Sequence, residues 1–191
     1  MEEIEPPMEN VQEDIHEHAH HAKESWIGWV AMSTAVLAAI AAVTALLSGS
    51  HANEAVMKQI KAADTWGYHS YNGLKLTLRE SKVEQLEAEN KPVQEDKKKI
   101  AKYEALKKEL EEKGKELEEE AEHNFELHET YAKGVTLFQI AITVAAIAIL
   151  SKKKAFWFVG LVFGAVGLYF FTKGIIVDLP SWLHGAAEAK H

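Results

Sequence analysis

Hydrophobic positions along this chain follow two patterns. Three stretches are apolar on every face, and the stretch between the first and second alternates apolar and charged residues at helical spacing. Residues 26–47 contain no charge. About 20 such residues, at about 1.5 Å each, cover the roughly 30 Å hydrocarbon layer of a bilayer. A second apolar run, 134–151, lies between Lys133 and Lys152. A third, 155–177, carries only Lys173, near its end, where a long side chain reaches the headgroups. The pattern predicts transmembrane helices at 26–48, 133–151 and 155–177. Trp26, Trp29, Trp157 and Trp182 fall near the predicted interfaces, as an aromatic belt requires.

The intervening segment, 49–132, reads as a charged helical hairpin. In its first half Val56, Ile60, Ala63, Gly67, Tyr71, Leu74 and Leu78 recur at helical spacing. In its second half Ile100, Tyr103, Leu106, Leu110, Leu117, Ala121 and Phe125 do the same. Between them, Glu89-Asn90-Lys91-Pro92 supplies a stop at Asn90 and a helix start at Pro92. The arms, 52–89 and 93–131, are nearly equal, each about 57 Å long. Equal arms return the chain to the membrane where it left. Helix continuity into the spans is interrupted at most at Ser48-Gly49-Ser50. Pairing the arms about the turn sets residue i opposite roughly 182 − i, which brings Trp66, Tyr68 and Tyr71 near Gly114. A mid-helix glycine costs about 1 kcal/mol against alanine, and room for a facing aromatic rationalises it. The expected fold is therefore all-α: three membrane spans with a long antiparallel, coiled-coil-like hairpin inserted between the first and second.

Composition changes this picture little. The charged fraction is 26% and the hydrophobic fraction 47%, an unremarkable average that conceals their segregation. A net charge of −8 argues against nucleic-acid binding. The absence of cysteine excludes disulfides, thiolate metal sites and a cysteine nucleophile. The acidic residues before Trp26 argue against a cleavable signal peptide. Lys152-Lys153-Lys154, in the short loop between the second and third spans, favours the cytoplasm. The N-terminus is then cytoplasmic, and the hairpin and the 178–191 tail lie outside it.

Candidate chemistry is sparse. The acidic, histidine-rich segment 1–25 places His16 and His20 on one helical face, as a metal pair would require. His51, Glu54, His123 and His128 lie near the membrane, and Glu120 with His123 has the spacing used in dimetal carboxylate bundles. A single copy of that motif on a charge-dense helix does not make a site. No phosphate loop, dinucleotide fingerprint, nucleophile elbow or zinc-protease motif occurs, so neither enzyme activity nor a cofactor is expected. The spans hold no acidic, histidine or arginine residue in their interiors, which argues against an ion-coupled transporter. Gln139 is the only strongly polar residue in the second span, and Thr136 and Thr143 flank it. Small residues recur as Ala31, Ala35 and Ala39 in the first span and Gly160, Gly164 and Gly167 in the third. Such seams let helices approach closely, and they point to helix packing and homo-oligomerisation.

The segments His51-Ala52-Asn53-Glu54-Ala55, Ile60-Lys61-Ala62-Ala63-Asp64-Thr65-Trp66 and Val135-Thr136-Leu137-Phe138-Gln139-Ile140-Ala141 resemble the domain-of-unknown-function 4337 family. That resemblance covers about 13–176. It implies a bacterial membrane protein of this layout and carries over no catalytic residue; the inner membrane is the expected location. The layout also looks like motor-stator proton-channel subunits, by architecture alone. Three functions are expected in descending order. The first is a non-enzymatic, homo-oligomeric membrane scaffold whose hairpin meets an envelope protein. The second is an oligomeric channel lined by Thr136, Gln139 and Thr143. The third is a metal-handling membrane protein using His16 and His20.

Overall fold

The computed structural model describes the backbone of residues 25–188 and the side chains of residues 26–179. It contains three long helices, α1 (Ser25–Ala88), α2 (Gln94–Ser151) and α3 (Lys154–Glu188), and no strand among the described residues. Each of the three is long and apolar enough to cross a membrane. Ser48-Gly49-Ser50, the one place where helix continuity was in question, is helical throughout. No proline or competing cap occurs there, and Ser48 finds partners elsewhere.

The stop after α1 is a capping structure. Asn90 adopts a left-handed φ of 54°. Its N–H donates to the Glu87 carbonyl at 3.0 Å, and the Lys91 N–H donates to that of Leu86 at 2.8 Å. These paired bonds satisfy carbonyls that the helix end would leave open, and asparagine tolerates the conformation better than most residues. α2 begins at Gln94, two residues after Pro92, with Glu95 and Asp96 in its first turn, where carboxylates suit the helix dipole. Between α2 and α3 the reversal is sharper, with Lys152 at φ 52°.

The chain divides into two compact units. One comprises the described residues up to His51 and from Glu126 onward, and the other is Ala52–Phe125. In the first, Ile27, Val30 and Ala31 of α1 pack with Ala145 and Ile149 of α2, and Trp26 and Trp157 border them. Thr34 and Thr44 are buried yet satisfied, each hydroxyl donating to the carbonyl four residues back at 2.7 Å. Trp157 Nε1 donates to Ser33 Oγ at 3.2 Å.

In the second unit, Lys58 pairs with Glu120 at 2.6 Å, Lys82 with Asp96 at 3.1 Å, and Arg79 also with Asp96. The α2 partner's number falls from 120 to 96 as its α1 partner's rises from 58 to 82. Trp66 lies directly on Gly114: a Cβ there would come within 2.9 Å of the indole. Tyr68 and Tyr71, expected beside it, are instead exposed. The whole first-arm stripe expected to face α2 is in fact on the outside: Val56, Ile60, Ala63, Gly67, Tyr71, Leu74 and Leu78 are all exposed. α1 turns Ala55, Ala62, Trp66, Asn72 and Val83 inward instead. That face combines small residues, which permit close approach, with Lys58 and Arg79, which reach carboxylates on α2. Spacing reveals that a face is apolar but not which of two usable faces a neighbour takes.

Candidate functional site

Two features stand out, one in each unit. The first is a polar cluster where the apolar part of α1 ends. Ser48 and His128 clasp each other across the two helices. The Ser48 hydroxyl donates to the His128 carbonyl at 3.2 Å, and His128 Nδ1, protonated, donates to the Ser48 carbonyl at 3.0 Å. One turn on, the His51 ring stacks on Tyr131 with centroids 5.6 Å apart, and His51 Nε2 lies 3.6 Å from Asp178 Oδ2 of α3. Tyr131 is fully buried, and its hydroxyl has no hydrogen-bond partner among the described residues. Burial, helped by the Asp178 charge, pushes that hydroxyl up to about 12. Gly174 makes the packing possible, since a Cβ there would sit 2.5 Å from the Tyr131 ring.

Chemically this cluster is a staple. It draws α1, α2 and α3 together through groups whose polar atoms largely satisfy one another. Among the described residues no three His, Asp or Glu side chains are arranged to hold a metal ion. Glu120, half of the dimetal-like pair with His123, is engaged by Lys58. His16 and His20 lie outside the described residues.

Most of the small residues picked out in the apolar runs pack inside the chain. A Cβ on Gly160 would lie 3.0 Å from the Ala141 carbonyl oxygen, one on Gly164 3.0 Å from Leu37, and one on Gly167 3.0 Å from Phe138. The glycine seam of α3 therefore closes against α1 and α2 of the same chain, and its surface is not free for another subunit. Gly174 continues it by one heptad, a position that sequence reading missed although the spacing was available. On α1, Ala31 is buried, Ala35 half-buried and Ala39 exposed. Four-residue steps advance about 40° beyond a full turn, so such a ladder drifts off any straight seam. Thr136, Gln139 and Thr143 lie on an exposed face of α2. Both threonine hydroxyls donate back to carbonyls at 2.9 Å.

The second feature is the outer face of α1. Between Asp64 and Lys75 no residue is charged. Here Tyr68 is 65%, Tyr71 54% and Leu74 66% exposed. Such exposure in a segment otherwise dense with Lys and Glu departs from an ordinary solvated surface.

Comparison with known families bears on the whole chain. The family described as Domain of unknown function (DUF4337) matches residues 26–177. The chain belongs to that family. The match begins at Trp26 and ends before Asp178, so it takes in all three apolar runs of this DUF4337 chain, the charged segment between the first two and most of the polar cluster. No curated protein and no solved structure matches it.

Proposed function

We propose that this DUF4337 protein is a non-enzymatic, homo-oligomeric scaffold of a bacterial inner membrane. Its three spans hold it in the bilayer, with the N-terminus in the cytoplasm. Residues 52–125 form an antiparallel, coiled-coil-like hairpin offered on the periplasmic side to other copies and to an envelope protein. The observation that carries this reading is the exposed apolar and aromatic face of α1. A helix pair that buries such a face loses unfavourable contact with water, whereas a chain acting alone gains nothing from it. The descending order of contacts, from Lys58–Glu120 to Lys82–Asp96, supports the antiparallel arrangement. The filled polar cluster suits a structural staple better than a substrate site.

A second reading, an oligomeric channel, is favoured by one observation: the polar face of Thr136, Gln139 and Thr143 is exposed on α2. Ion flux into proteoliposomes separates the two. The scaffold leaves the vesicles tight to protons and potassium. A leak that Gln139→Leu closes would overturn it in favour of the channel.

A further inference from the structure

The outer face of α1 has a regular geometry. Val56, Gly67 and Leu78 are spaced by 11 residues, and Ile60 with Tyr71 and Ala63 with Leu74 repeat the same step. An 11-residue repeat corresponds to 3.67 residues per turn, close to the natural helix, so the stripe runs nearly straight and two such stripes stay in contact with only slight right-handed winding. It lies on the side of α1 opposite the inward-facing Ala55, Ala62 and Asn72, so another helix can reach it without disturbing the pairing with α2. At its centre Gly67 has nothing within 4 Å of where a Cβ would stand. A mid-helix glycine that no neighbour among the described residues requires costs about 1 kcal/mol against alanine. Close approach of an outside helix, with Ala63 one turn away, accounts for it.

We propose that the occupant of this face is the same face of a second copy, parallel and in register, so that Gly67 meets Gly67 across a two-fold axis. This rests on the scaffold reading and names its interface. The size of the face argues for a second copy over a free partner. From Val56 to Leu78 it is about 33 Å long and about 10 Å wide, well below the roughly 800 Å² per side of a standard stable interface. A partner free in solution would be held weakly. Copies that enter the same bilayer in the same orientation meet at a far higher effective concentration, and a short seam then suffices. The same anchoring makes the two α1 helices parallel, and a parallel two-fold pair sets each residue of the stripe opposite itself. The ten-residue stretch without charge, 65–74, removes the like-charge repulsion that such self-pairing would otherwise bring.

The chain contains no cysteine, so single cysteines report contacts directly. Gly67→Cys and Leu74→Cys, each in the full chain in native membranes, are oxidised with copper phenanthroline. Lys61→Cys, exposed on α1 but off the stripe, and Ile140→Cys on α2 are the comparisons. A disulfide needs Cβ atoms about 3.5–4.5 Å apart. The first two should convert mostly to linked dimers, and Lys61→Cys should convert several-fold less. A wild-type complex of several copies in which only Ile140→Cys links would overturn this interface and leave the scaffold reading standing. A single-copy wild-type mass with no stripe linkage would overturn both. Linkage of Gly67→Cys mixed with Tyr71→Cys, without self-linkage of either, would mean an offset or antiparallel pair and overturn the register.

Discussion

Gly174→Ala is the sharpest test of the three-helix packing. The added methyl would stand 2.5 Å from Tyr131 Cε1 and 2.7 Å from Cζ, against about 3.5 Å for carbons in ordinary contact. About 1 Å must be found. The ring cannot readily yield it, since Tyr131 is fully buried and His51 stacks on it. Overpacking of this kind costs about 1–3 kcal/mol, and replacing glycine by alanine in a helix returns about 1 kcal/mol. The net expectation is a loss of about 0–2 kcal/mol. Gly49→Ala, in the same unit and with nothing within 4 Å, should gain about 1 kcal/mol by propensity alone. The two alanines should therefore differ by about 1–3 kcal/mol. Unfolding in mixed micelles titrated with SDS and followed by circular dichroism measures the difference. Tyr131→Leu, which shortens the ring side, should abolish most of it as a coupling between the two positions. If Gly174→Ala stabilises as much as Gly49→Ala, the packing of α3 on Tyr131 is wrong.

Tyr131→Phe should be neutral or stabilising by up to about 1–2 kcal/mol in the same titration, because the hydroxyl it removes is buried without a partner among the described residues; a clear loss of stability would mean that the hydroxyl is hydrogen-bonded in the folded protein. Lys82 first, and Arg79, hold the Asp96 carboxyl below its ordinary 3.8, so Asp96 stabilises the helix pair above that value, and the contribution is lost as pH falls through the lower folded value. Asp96→Asn should accordingly melt lower than wild type near pH 6, with the gap closing towards pH 2; a gap that does not change with pH would show that the charge is not what matters. Cysteine at Lys91 should react with an impermeant thiol reagent in intact cells and cysteine at Lys153 should not; reversed labelling would invert the orientation, and labelling of both would remove the membrane-crossing arrangement.

How much of this architecture was legible in the sequence depended on the contrast between neighbouring faces. The apolar runs stood out because charge is absent from them for 18 residues or more, and helices pass through all three. The stop at Asn90 was legible because asparagine tolerates the left-handed conformation that ends a helix, and Pro92 follows two residues later. Trp66 and Gly114 were brought together by arm length alone, and they touch. The inward face of α1 was not legible. Three of its contributors, Ala55, Ala62 and Asn72, are small or polar and give no periodic apolar signal with Trp66 and Val83, whereas the conspicuous stripe from Val56 to Leu78 faces out. The polar cluster was half legible: His51 and His128 were noted near the membrane, but Ser48, Tyr131 and Asp178 are ordinary residues until three helices converge on them. The α3 glycines were recognised as a seam, yet nothing along the chain could tell a seam closed by its own helices from one closed by another subunit.

The measurement that bears most directly on the scaffold is the mass of the complex released from native-lipid discs and from several mild detergents. The account predicts a discrete multiple of the single-chain mass, two copies or a higher even number given the two-fold seam on α1. A single-chain mass in every lipid and detergent would contradict it, because one copy has a single hairpin to display and leaves the face from Val56 to Leu78 in water.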